Sequence, residues 1–434
     1  MPIMFDSLRA RIAGIRSTTR IGRVAAVGPS TVQVTGLSDV AALGDRVFVG
    51  LMGAEVIALG PQGLTVLPDS PTEGISIGDP VGHQGPAAIA PDASWIGRIL
   101  DPDGQPLDGR PLLSGLQSRP LRASPPAAAS RRRLGERLAT GLAAFDTMLP
   151  LVQGQRLGLF AGSGVGKSTL LGSFARHVAA DVVIVALVGE RGREVRAFAE
   201  DVLGAAGLAR SVIIAATSDQ SPLVRRRCPL AAMAVAEHFR DQGAQVLLLC
   251  DSITRFAEAH REVAAAGGEP ISLGGWPPSL SHAIMSLAER AGPGGDTTGG
   301  DITAIFTVLV AGSNMEEPVA DILRGVLDGH VILDRAIAER GRFPAVNLLR
   351  SLSRSLPDCA TDEENTMIAE ARRLLSAWDR AELMVQSGLY SAGSDSLTDR
   401  AIRLFPQLDA FLAETAPTDV PGHAFQRLRH ILSS

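Results

Sequence analysis

Residues 155 to 178 read QRLGLFAGSGVGKSTLLGSFARHV. QRLGLF has the apolar texture of a buried strand, STLLGSFARHV is patterned as a helix, and AGSGVGKS joins them across residues 161–168. Glycines in such a loop let successive backbone N–H groups turn toward an anion. A lysine can reach the β and γ phosphates of a nucleotide, and a Ser or Thr hydroxyl can meet Mg2+. Gly162, Ser163, Gly164, Val165, Gly166, Lys167, Ser168 and Thr169 supply that loop. The opening of the helix adds its own amides. Ala161 stands where the motif usually begins with glycine, which alanine tolerates if its φ is negative.

Downstream, DVVIVALV, SVIIAAT, QVLLLCD and DITAIFTVLV alternate with helical stretches: REVRAFAEDVL, one from Pro222 and one from Ser252. Continuous apolar strands with helical crossovers predict a parallel sheet covered on both faces. From Pro357 the pattern is helical, as in ENTMIAEARRLLSAW and SLTDRAIRLFPQLDAFL. Upstream, Gly22 to about Gly85 breaks into short β-rich runs (RVAAV, TVQV, RVFV, AEVIAL, LTVL) between Gly and Pro, the pattern of a small β-barrel. A Pro/Ala/Arg-rich surface linker is expected to connect the two. In residues 1–20, Phe5, Leu8, Ile12 and Ile15 recur at helical spacing beside Arg9, Arg11, Arg16 and Arg20. That helix packs on its own protein or meets a partner or membrane surface. The expected organisation is a basic amphipathic helix (1–20), a β-barrel (21–90), an α/β nucleotide-binding domain (91–356, including the linker 91–145) and a helical C-terminal domain (357–434).

Two further carboxylates follow from strand ends, because open α/β sheets bind ligands at the carboxyl edge. Asp251 closes QVLLLCD and can hold Mg2+ through water, opposite Ser168, cap the next helix, or do both at once. Glu190 follows DVVIVALV and either polarises the water that attacks a γ-phosphate or belongs to a surface salt-bridge cluster with Arg191, Arg193 and Glu194.

Composition narrows the classes. The 434 residues are 45% hydrophobic and 20% charged, with 41 Lys plus Arg against 46 Asp plus Glu. A net charge of -5 and 4% aromatics argue against a nucleic-acid binder. No apolar run approaches the roughly 18 residues of a membrane span. The N-terminal stretch lacks the uninterrupted apolar core of a secretory signal, because charges fall at Asp6, Arg9 and Arg11, and three cysteines without metal-ligand spacing read as reduced thiols in a cytosol. The basic residues are 40 arginines and one lysine, Lys167.

GLFAGSGVGKST, VGERGREV, VLLLCDSITRFAEAHRE, GGWPPSL, LDGHVILDR, AERGRFPAVN and SLSRSLP resemble, in content and order, the catalytic subunits of rotary ATPases, most of all the flagellar and type III secretion ATPases. The resemblance implies a RecA-like P-loop NTPase core that hydrolyses Mg-ATP in a homohexamer and drives export through a flagellar type III apparatus. It implies that Glu190, with neighbouring Arg191, is catalytic, that Asp251 is the Walker B aspartate, that Phe343 stacks on adenine, and that Arg354 reaches a neighbouring subunit's γ-phosphate. Read without the family, Phe343 is a core aromatic and Arg354 one arginine among many. Implied partners are a regulatory stator-like protein at the N-terminus, export chaperones and substrates, the export gate and acidic lipid, with no nucleic acid. The expected location is cytoplasmic, peripheral to the inner membrane. Competing readings are an injectisome ATPase, an RNA translocase and a non-catalytic nucleotide-binding ring subunit.

Overall fold

The computed structural model describes residues 18–272, 274–295, 299–310, 315–415 and 422–434. Of the expected N-terminal helix, all but residues 18–20 lies outside them.

Alternation of apolar and polar residues closes the first unit. Strands Ile21–Val27, Val32–Thr35, Asp45–Val49, Met52–Gly60, Gly63–Pro68 and Pro80–Pro86 form a six-stranded antiparallel barrel. Its interior is aliphatic: Val32, Val34, Val47, Ala54, Leu64, Val66 and Val81 are fully buried. Five strands match the β-rich runs of the sequence. The sixth, PVGHQGP, was not expected, because two prolines and two glycines disguise it.

The second unit is a sheet in the order Leu352–Ser353, Gly329–Leu333, Arg156–Ala161, Asp301–Leu309, Gln245–Asp251, Val182–Glu190, Ser211–Thr217, Arg98–Leu100. From Gly329–Leu333 to Arg98–Leu100 every pairing is parallel. Leu352–Ser353 and the short Gly292–Pro293 add antiparallel pairings, so the sheet is mixed, not purely parallel. The central strands are buried on both faces, Val183 to Ala186 completely, because helices cover them from both sides.

The stretch read as a surface linker is partly built into the core. Arg98–Leu100 is an edge strand, and Trp95, Leu100 and Leu121 are buried. The Arg98 guanidinium holds Asp108 at 2.6 Å and draws that loop inward. Asp108 is thereby held well below the usual carboxylate range.

Helices Asp362–Gln386, Ser396–Ala413 and His423–Ser433 complete the chain; the last was not expected. The first opens with a capping box between Thr361 and Glu364. Leu404, Leu408 and Phe411 on the second face the same apolar core as the phosphate-loop helix. Burying each of them stabilises the fold by about 1.5–3 kcal/mol.

The barrel and the sheet domain are clasped by charge. Neighbouring arginines on the helix Pro222–Arg240 each take a barrel carboxylate: Arg226 pairs with Glu55 at 2.5 Å and Arg227 with Asp69 at 2.9 Å. These pairs are largely buried, so losing one partner would leave a costly unpaired charge.

Candidate active site

Arg156–Ala161 ends at the carboxyl edge of the sheet, and the chain turns through Gly162–Gly166 into the helix Lys167–His177. Ala161 is the last strand residue, in extended backbone, so no glycine is required there. Glycine is required at Gly166, which has a φ of 86°. A side chain there would also meet the Phe343 ring at 3.1 Å. Ser163, Ser168 and Thr169 are exposed on the loop and first turn, whereas Val165 is buried and fixes the loop to the core.

The two strand-end carboxylates flank this loop. Asp251 accepts a 2.5 Å contact from the Lys167 ammonium and a 2.7 Å hydrogen bond from the Thr307 hydroxyl. The cap of the following helix is Ser252, whose hydroxyl accepts from the Arg255 backbone N–H, so Asp251 is not occupied by capping. Glu190 ends the next strand, after a bulge at Gly189 with a φ of 69° that turns the chain out of register with Ser211–Thr217. Partial burial, the nearby Asp251 charge and a hydrogen bond with Glu194 push the Glu190 carboxyl up to about 7, against the pull of Lys167. Arg191 is exposed and pairs with Glu194 at 3.3 Å. Lys167, Asp251 and Glu190 thus share one electrostatic environment.

Phe343 is no core aromatic. It is 49% exposed, and its ring lies against Gly166. Its loop is tied to the C-terminal helices: Arg342 pairs with Asp409 at 2.9 Å and donates to the Pro344 and Val346 carbonyls at 2.9 and 2.8 Å. That anchor was not read from the sequence, since Arg342 is one arginine among many.

Arg354 is not gathered with the others. Leu333 is level with Ala161, whereas Gly329, at the opposite end of the same strand, pairs with Ser353. Four residues of strand span roughly 13 Å. Arg354 is exposed just beyond Ser353, and its guanidinium donates to the Arg324 carbonyl at 3.3 Å. It stands at the far corner of the sheet from its own phosphate loop.

The donor set fits Mg2+ bound together with a nucleotide. Among the described residues, no group of three or more His, Cys, Asp or Glu would hold a metal. Mg2+ is commonly held by one or two protein oxygens plus phosphate and water. The Ser168 hydroxyl and the Asp251 carboxylate would supply the protein oxygens.

Comparisons with known proteins place the chain in a family. Residues 141–353 match the ATP synthase alpha/beta family, nucleotide-binding domain, and residues 360–422 match the T3SS EscN ATPase C-terminal domain. A flagellum-specific ATP synthase of Caulobacter vibrioides is 44% identical over 420 residues, covering 94% of each chain. A type 3 secretion system ATPase of Xanthomonas euvesicatoria is 39% identical over 438 residues, covering 100% of this chain and 98% of that one. The assembled ATPase EscN of enteropathogenic E. coli superposes with a TM-score of 0.86 at 35% identity, covering 95% of this chain and 99% of that one.

Proposed function

This chain belongs to the flagellar and type III secretion ATPases of the ATP synthase alpha/beta family, and from that premise we infer how its residues carry out ATP hydrolysis coupled to protein export. The observation that supports the reading most strongly is the meeting of Lys167, Asp251 and Glu190 around one glycine loop.

The loop amides and the helix N-terminus hold the phosphates, and Lys167 turns from Asp251 to their β and γ oxygens. Ser168 and Asp251 would hold Mg2+, which would supply neutralisation of the phosphate charge. The Glu190 carboxylate orients a water in line with the γ-phosphorus and accepts its proton. Phe343 stacks on the base, half-exposed and steadied by Arg342. Arg191 positions Glu194 beside Glu190. Arg354, remote from its own loop, completes a neighbour's site by stabilising phosphoryl-transfer charge. Activity therefore requires a ring, a homohexamer, in which each interface joins one chain's loop to the next chain's Arg354.

The flagellar system is favoured over the injectisome because the Caulobacter relative stands at 44% identity against 39% for the Xanthomonas one. In that setting the ring sits in the cytoplasm against the export apparatus. It meets a stator-like regulator, export chaperones and their substrates. Among the described residues no helix is long and apolar enough to cross a membrane. A solved EscN structure is described in complex with its central stalk EscO, and we propose a corresponding stalk partner here.

The catalytic assignment is tested by Glu190→Gln. Phosphate release should fall by about 10²–10⁴-fold while ATP binding persists. Hydrolysis at the parental rate would remove Glu190 from the mechanism.

A further inference from the structure

Arg354 is exposed, but the groups that hold it are buried. Along residues 351–355, SLSRS, exposure alternates: Ser351, Ser353 and Ser355 are buried, whereas Leu352 and Arg354 are exposed. The backbone pairing behind this arm is short, with Ser353 opposite Gly329 and Leu352 opposite His330.

The rest of the hold converges on one side chain, Gln155, which is fully buried. Its Oε1 accepts the Val152 backbone N–H at 3.0 Å, which leaves its amide nitrogen to donate on the other side. That nitrogen donates to the Ser353 hydroxyl at 2.9 Å and to the Asp328 carbonyl at 3.3 Å. Both acceptors adjoin Arg354. Ser353 precedes it in the chain, and the Asp328 carbonyl also accepts the Arg354 backbone N–H at 2.9 Å. The acceptors are fixed in turn. The Ser353 hydroxyl donates to the Pro150 carbonyl at 2.8 Å, and the Asp328 carboxylate accepts from the Arg156 backbone N–H at 2.9 Å and from its Nε at 3.1 Å. Buried groups cannot exchange a lost partner for bulk water, so removing the amide shifts the arm or leaves its acceptors unpaired.

On the reading in which Arg354 completes a neighbouring subunit's site, we propose that Gln155 is a positioning residue for hydrolysis: its buried amide sets where the Arg354 guanidinium stands. Stabilising phosphoryl-transfer charge demands that placement, because a shift of about 1 Å can cost about 10²-fold in rate. Gln155 itself is remote from the nucleotide. It immediately precedes the strand Arg156–Ala161, whose other end enters the phosphate loop. The strand that carries a subunit's own phosphate loop at one end thus holds, at the other, the arginine lent to its neighbour.

The test compares full-length Gln155→Met and Ser353→Ala with Arg354→Ala. The first keeps side-chain length and removes the amide; the second removes only the hydroxyl on which that amide ends. Thermal unfolding and ATP binding identify variants that keep the fold, and Ser353→Ala takes the place of Gln155→Met throughout if the latter does not. The kcat should fall about tenfold or more with the KM for ATP unchanged. Adding Gln155→Met to Arg354→Ala should cause no further fall, because the group being positioned is already gone. In rings shown to contain both chains, Gln155→Met mixed with Glu190→Gln should release phosphate well above the sum of the two alone, since the Glu190→Gln chain lends a well-placed Arg354 to the other's intact Glu190. Parental kcat in the folded variant, a further fall in the double variant, or mixed rings without recovery overturns the positioning role. Parental turnover by Arg354→Ala overturns the reading of Arg354 itself, and the positioning role with it, so the two failures are told apart.

Discussion

The carboxyl edge of the sheet and its opposite corner contain equally polar residues arranged in opposite ways. At the edge, Lys167, Asp251 and Glu190 crowd together until Lys167 and Asp251 touch at 2.5 Å and Glu190 is pushed up to about 7. At the corner, Arg354 projects alone into solvent with one bond to a backbone carbonyl. In the function proposed, the crowded groups bind a nucleotide and activate water within one chain. In that function, an exposed arginine beyond reach of its own loop acts on a second chain. On the proposed reading the fold builds a site that one chain starts and the next one finishes, which would make turnover depend on assembly.

The largest expected break in that contrast is Arg354→Ala. Phosphate release should fall by about 10³-fold or more, with folding and ATP binding by the single chain unchanged. Parental turnover would show that the edge is sufficient alone. A more moderate effect belongs to Phe343→Ala. Because the ring is half-exposed against the loop, its loss should raise the KM for ATP about tenfold or more, the worth of one aromatic stack on a base. Turnover at saturating ATP should change little, and a fall in kcat with unchanged KM would point to loop distortion through Gly166 instead.

The smallest effect comes from pH. Glu190 must be charged to accept a proton, and its folded-state value is raised. Charge is therefore lost as pH falls through about 7. The kcat/KM should drop about tenfold between pH 8 and pH 6, and the residual rate of Glu190→Gln should lack this slope. A parental profile flat across this range would separate Glu190 from proton transfer.

The edge was more legible than the corner because its information is local. Three glycines, one lysine and a hydroxyl within eight residues, between an apolar strand and a helix, announce a phosphate loop. Asp251 and Glu190 could be placed by strand ends alone. What the sequence hid depends on contacts between distant segments. The nearness of Phe343 to Gly166 depends on how the loop after Gly329–Leu333 returns over the edge, and Arg342 fixes that loop by reaching the C-terminal helices. The remoteness of Arg354 follows only from the antiparallel pairing of Leu352–Ser353, which no periodicity in two residues can reveal. The sixth barrel strand and the edge strand Arg98–Leu100 were hidden because proline, glycine and charge mask short pairing segments. The lone lysine marks the contrast within composition. Arginine serves on the surface and in buried ion pairs such as Arg226–Glu55, but a compact ammonium suits a glycine loop closed around phosphate oxygens.

The most direct test of a site shared between chains is to mix Glu190→Gln with Arg354→Ala protein and measure phosphate release, with differently tagged chains confirming that both enter the same rings. Interfaces that join the Glu190 of an Arg354→Ala chain to the Arg354 of a Glu190→Gln chain are complete, so the mixture should hydrolyse ATP well above the sum of the two proteins measured separately. Mixed rings with no activity beyond that sum would contradict the account.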